Sequence, residues 1–289
     1  MITINESFLI NVWNRLPVLI KAILLGFIVN SIGVYGWLLI VIIVPQVLNG
    51  YWLIPIAIFY LILYFTYFSG ISSKNQTLET RRRYFRTLRP SMKVWKYGLI
   101  SALFFVIIMQ ALFVLTFRLV QFPGDEFTTS LYLNDLSLPF AITIIVLSSL
   151  FAGICEEVGL RGYGQVPLEE EYGAIPAILI TSIAFFMMHL HQAWMTNIMI
   201  SVFLIGLMLG IMAYTTRSLL PGIIGHTVAD IINFSYWWSD IGGRYNKAPI
   251  SLTGIDLHFI VWLLILFFSI LIFYLSNLNS LGAVRKFDE

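Results

Sequence analysis

Eight apolar runs, each near the length a helix needs to cross a bilayer, leave this chain few ways to fold. They are Ala22 to Val44, Trp52 to Phe68, Tyr97 to Phe117, Pro139 to Leu160, Ile175 to Leu190, Ile198 to Tyr214, Leu219 to Trp237 and Phe259 to Leu275. A hydrocarbon core of about 30 Å takes about 20 helical residues. Charged residues make up only 11% of the chain and hydrophobic ones 59%, where a soluble domain carries about 25% charged. The expected fold is therefore all-α, a polytopic transmembrane helix bundle of about eight helices. No internal repeat, low-complexity tract or soluble domain interrupts it, so residues 1–289 read as one integral membrane domain.

Basic residues set the expected orientation. The segment 69–96 holds Lys74, Arg81, Arg82, Arg83, Arg86, Arg89, Lys93 and Lys96, and basic loops stay cytoplasmic. Alternating from there puts both termini, Arg161, Arg217, Arg285 and Lys286 inside. Of the 17 basic residues only Arg118, Arg244 and Lys247 fall outside. The basic loop reads first as a topology determinant and second as a binder of anionic lipid headgroups. The N-terminal Met-Ile-Thr-Ile-Asn-Glu has neither a basic start nor a small-residue cleavage site, so no removable signal peptide is expected. A lone cysteine, Cys155, rules out an internal disulfide and any multi-cysteine metal site. A Cys-His protease is disfavoured, because nothing in the sequence offers that thiol an electropositive setting.

Carboxylates are costly in a bilayer, so acidic residues within a span are a functional hypothesis by default. The fourth run ends in the adjacent pair Glu156 and Glu157, with Arg161 four residues past the second. Residues four apart share a helix face and adjacent ones point about 100° apart. Glu157 is thus offered Arg161 as a structural partner, and Glu156, left free, is the candidate acid or base. His189 follows in Phe-Phe-Met-Met-His. His226 starts about seven residues into the seventh run, ~10 Å deep at 1.5 Å per residue, with Asp230 one turn on and Asn233 extending that face. Two imidazoles, a free carboxylate and a polar residue one turn from an imidazole can activate water and hold an oxyanion. His191 and His258 sit near run ends, and no chemistry is assigned to them.

At these residues the chain resembles the CPBP family of intramembrane endopeptidases, which includes the CAAX proteases and bacteriocin-processing enzymes and is also called the Abi family. Glu156-Glu157-Val-Gly-Leu-Arg161 matches its Glu-Glu-x-x-x-Arg signature, Phe185-x-x-x-His189 its Phe-x-x-x-His, and His226-x-x-x-Asp230 its His-x-x-x-Asn/Asp. Phe203-Leu-Ile-Gly206, Gly210, Tyr214 and Ser218-Leu219-Leu220-Pro221 follow the family's glycine-rich helix and its turn before the last histidine. The resemblance implies a CPBP/Abi-type catalytic core over 139–237. It also implies a glutamate-type endopeptidase opening to the cytoplasmic side: Glu156 with His189 activates water, His226 and its partner Asp230 stabilise the oxyanion, and Glu157, Arg161 and Asn233 support them. No cofactor is expected. Zinc held by Glu156, His189 and His226 is the alternative, disfavoured because the chain has no His-Glu-x-x-His helix. The implied partners are a membrane-associated peptide or protein, lipidated CAAX proteins among them, and membrane lipids, but no nucleic acid. A bacterial cytoplasmic membrane is the expected location.

Two features sit awkwardly with that scheme. An ionised Asp230 cannot donate to an oxyanion, so it is protonated, orients His226, or cedes the donor role to Asn233. A simple hairpin after Leu160 would also bury His189 ~22 Å deep, counting from Ile175, beyond reach of Glu156. His189 and Glu156 meet only if 162–173, with Gly162, Gly164, Pro167 and Gly173, is irregular, its Glu169-Glu170-Glu171 suggesting a wet segment, or if the fifth helix starts below the membrane surface. Rival functions are a non-catalytic immunity or scaffold protein and a proton-coupled transporter. The last would show repeated halves, whereas the polar chemistry here lies in one half.

Overall fold

The computed structural model describes residues 6–48, 50–71, 77–86, 90–120, 136–190, 199–238 and 246–288. Among them it is all-helical. The helices are α1 (Glu6–Arg15), α2 (Val18–Val47), α3 (Leu53–Phe68), α4 (Leu78–Tyr84), α5 (Met92–Leu119), α6 (Leu138–Tyr172), α7 (Ala174–Met188), α8 (Met199–Thr216), α9 (Leu220–Asn233) and α10 (Leu257–Asp288). Among the described residues every one of the eight apolar runs is helical. Six helical segments are long and apolar enough to cross a membrane, as an integral membrane bundle requires: α2, α3 together with the 3-10 turn Gly50–Trp52 that leads into it, α5, α6, α8 and α10. The other two runs are shorter: α7 has 15 residues, and α9 has 14 before it widens into a π-helical turn at Phe234–Trp238. His191, Lys74, Arg89 and Arg244 lie outside the described residues.

The fourth run does not end at Leu160. It continues for three more turns, with a π-helical stretch at Glu157–Gly164 followed by α-helix Gln165–Tyr172. Gly162, Gly164 and Pro167 signal a break by their intrinsic preferences, yet the break falls only at Gly173, at φ 84°. Tertiary packing overrides the local signal. Gly159 lies so close to α2 that a Cβ there would meet the Gly26 carbonyl at 2.6 Å, and one at Gly162 would meet the Tyr84 carbonyl at 2.7 Å. Small residues that let helix backbones touch are the usual adhesive of membrane bundles. The wider turns just ahead of Pro167 also absorb the helix hydrogen bond that proline cannot donate.

The acidic stretch after it is not simply solvated. Glu169 accepts from Arg86 at 2.6 Å and from Gln165 at 2.7 Å, and Glu170 pairs with Arg83 at 3.3 Å. The basic segment therefore anchors this end of α6, besides any role in topology. At the opposite end of the bundle His258 meets the buried Arg118 at 2.7 Å, which also pairs with Asp256 at 2.8 Å.

Two apolar clusters build the interior. One joins α5, α8, α9 and α10 through residues such as Phe105, Phe117, Leu209 and Ala229. The other joins α2, α3 and α6 through Trp37, Leu61 and Phe151. Leu160 belongs to the first and Val158 to the second, so the π-helical stretch of α6 lies where they meet.

Candidate active site

The α6–α7 hairpin sets how far the site residues lie from its turn. Glu156 is sixteen residues before Tyr172 and His189 fifteen after Ala174, ~24 Å and ~22 Å of helix at 1.5 Å per residue. The two arms are thus matched in length, and the hydrogen bond from Thr181 to Gln165 at 3.4 Å fixes their register. Extending α6 past Leu160 corrects the hairpin that had placed His189 too deep. Leu219, just before α9, packs level with Gly162, 3.4 Å from where a Cβ there would stand. His226 can therefore be few residues from the start of its helix and still meet Glu156.

His226 is the centre of the arrangement. Its Nδ1 is 3.1 Å from Oε1 of Glu157, while its Nε2 is 3.5 Å from Oδ2 of Asp230 and 3.9 Å from Oε2 of Glu156. The ring is thus held by Glu157 at one nitrogen and turned toward the other two carboxylates at the second. Oε2 of Glu156 is buried and makes no hydrogen bond. Glu157 and Arg161 do form the expected one-turn pair, at 3.1 Å and with both side chains fully buried. Spacing alone assigned Glu157 only to Arg161; the structure gives it His226 as well. Gly153 makes the approach of α9 possible. A Cβ there would clash with the Thr227 hydroxyl and lie 3.0 Å from its amide nitrogen. Gly153→Ala is expected to cost about 1–3 kcal/mol of stability, read from thermal unfolding in detergent, and to lower activity by moving His226. Parental stability and activity together would show that the contact is unimportant.

His189 reaches this group through Phe185. As the cap of α7 it hydrogen-bonds its Nδ1 to the Phe185 carbonyl at 2.8 Å, and its ring lies 4.5 Å from the Phe185 ring. The same phenyl meets His226 at 6.2 Å and carries the Arg161 guanidinium at 4.6 Å. Phe185 therefore touches both imidazoles, His226 edge-on, and carries the buried cation over its face, which favours the cation electrostatically. Arg161 also donates to the Gly206 carbonyl at 3.2 Å. Asn233 is one turn beyond Asp230, its side-chain oxygen accepting from Gln110 of α5 at 3.0 Å.

Phe185, Gln110 and the Gly206 carbonyl had no assigned role in the sequence reading. Phe185 was at least visible as part of a motif. Gln110 was not singled out at all. Among the described residues no three His, Cys, Asp or Glu side chains are placed to hold a metal ion. Glu156, His189 and His226 do not form such a set here.

No curated protein and no solved structure matches this chain. The family model described as type II CAAX prenyl endopeptidase Rce1-like does match, over residues 137–232. That segment starts at the head of α6 and contains Glu156, Glu157, Arg161, Phe185, His189, His226 and Asp230, with Asn233 one residue beyond it. The match is to a protease family, and over residues 137–232 it supports the resemblance to the CAAX-type endopeptidases of the CPBP family that the motifs carry.

Proposed function

We propose that the chain is an intramembrane endopeptidase in which Glu156 activates the attacking water. The observation that supports this most is His226, held by Glu157 at Nδ1 so that Nε2 faces Glu156 and Asp230. In this reading Glu156 takes a proton from water as the oxygen attacks the scissile carbonyl carbon. His226, through Nε2, meets the oxyanion that forms. Collapse of the tetrahedral intermediate expels the amine, which takes the proton back from Glu156. His189, seated on Phe185, assists Glu156 with the water. Arg161 balances Glu157 and keeps it aimed at His226.

The substrate is a membrane-associated peptide or protein, with lipidated chains included, in a bacterial cytoplasmic membrane. It enters from the cytoplasmic side. Arg83, Arg86 and Arg217 gather at the Gly173 end of the bundle, and a basic end faces the cytoplasm. Reconstituted protein is expected to cleave a membrane-anchored fluorogenic peptide and to keep its rate in strong chelators. Loss of activity in chelator, restored by zinc, would replace the general-base scheme with the zinc alternative.

Asp230 follows from the same geometry. The nitrogen that a buried orienting carboxylate would hold is taken by Glu157, which leaves Asp230 beside Nε2, where an amide can substitute. Asp230→Asn is expected to keep activity of the same order as the parent, and more of it at alkaline pH, where a carboxyl group could not donate. A loss of about a hundredfold or more would instead make Asp230 a charged acceptor for His226, by analogy with triads whose carboxylate is amidated.

A further inference from the structure

At the Gly173 end of the bundle a cavity of about 430 Å³ is lined by Arg82, Arg83, Arg86 and Arg217 together with Glu169, Glu170 and Tyr214. Its volume falls within the range of about 300–1,000 Å³ typical of small-ligand sites. Four guanidinium groups against two carboxylates leave a positive excess. Arg83 is paired with Glu170 and Arg86 with Glu169. Arg217, by contrast, is exposed, and its described contact is with the face of Tyr214, 5.2 Å from the ring centroid.

Two further observations single out this cavity. Among the described residues, the non-glycine residues with positive φ are Arg86 at 51° and Arg217 at 52°, and both line it. A side chain is held in that conformation against its preference, and such positions gather at ligand clamps and switches. Arg86 is also buried, and its Nε has no hydrogen-bond partner. Burial lowers the pKa of that guanidinium, and Arg217 pushes in the same direction. The two cations therefore line one cavity that an anion would suit.

We propose that this cavity binds a phosphate group through Arg86, Arg217 and Arg83. Guanidinium forks match phosphate oxygens in pairs, and a phosphate would offset the excess charge. Tyr214 closes α8 at the same level, and tyrosines favour the membrane–water boundary. The phosphate can therefore come from an anionic lipid headgroup or from solution. The site is separate from the carboxylate–histidine cluster. Its nearest connection runs through Glu169 and Gln165, which donates to the Gly210 carbonyl at 2.9 Å. The proposal does not depend on proteolysis.

The test uses the purified full chain in detergent, with two probes read in parallel by native mass spectrometry and by thermal stabilisation. The probes are dioctanoyl phosphatidylglycerol and inorganic phosphate. The parent is expected to bind at least one of them, and Arg217→Gln to weaken that binding about tenfold, the loss of one charge-assisted contact of about 1.4 kcal/mol. Arg83→Gln serves as a second, exposed reporter in case the first variant fails to fold, and Arg15→Gln controls for surface charge. Binding of the lipid alone identifies a headgroup site, and binding of phosphate alone a site for a soluble ligand. No binding of either probe, or binding that Arg217→Gln and Arg83→Gln leave as strong as in Arg15→Gln, would overturn the proposal.

Discussion

Glu156→Gln is expected to leave a folded protein in the membrane that no longer cleaves. The substitution keeps the shape of the side chain and removes the group that takes the proton, and a positioned general base is worth about 10²–10⁴ in rate. Little else depends on that carboxylate. Its Oε2 makes no hydrogen bond and lies 3.9 Å from Nε2 of His226, too long for a direct bond. Stability is therefore expected to hold while turnover falls. A reconstituted sample, assayed against the membrane-anchored peptide alongside its thermal unfolding curve, separates the two effects. Parental turnover in Glu156→Gln would end the protease reading and favour an immunity or scaffold role, which needs no base.

The sequence exposed the parts of this site that obey a short-range rule. Among the described residues all eight apolar runs became helices because bilayer-length hydropathy is a strong local signal. The Glu157–Arg161 pair was readable because four residues make one helical turn. The course of α6 was not. Gly162, Gly164 and Pro167 argue locally for a loop, yet the helix runs on to Tyr172, its glycines packed against α2 and the end of α4. That extension changed the depth of every site residue on α6 and α7.

Long-range polar partners were hidden for a different reason. The bond between His226 and Glu157 spans 69 residues and that between Gln110 and Asn233 spans 123, and no spacing rule reaches so far. Phe185 was hidden in plain view, since a phenylalanine in an apolar run carries no periodic mark of its own. Its role beside Arg161, His189 and His226 exists only once α6, α7 and α9 are packed. The basic segment was read chiefly for its charge sign. Its pairing with Glu169 and Glu170 depends on α6 reaching that far.

Arg161→Gln is expected to destabilise the protein by about 3–5 kcal/mol, the cost of stranding one partner of a buried ion pair. Arg161 is fully buried, 3.1 Å from Glu157, bonded to the Gly206 carbonyl and stacked on Phe185. Glu157→Gln strands the cation instead and also loosens its hold on His226, so it should lower stability and turnover together. The double substitution removes both charges. If the pair acts as one unit, its loss will be smaller than the sum of the single losses, a coupling of the kind that contacting residues show at about 0.5–3 kcal/mol. Turnover need not recover with stability, because the double variant still lacks the carboxylate that orients His226. A double-mutant cycle read by thermal unfolding in detergent, with the peptide assay on the same four samples, distinguishes these effects. Single variants that each unfold within about 1 kcal/mol of the parent, the value of a solvent-exposed pair, would show that the bridge is wet and that Arg161 does not hold Glu157 in place.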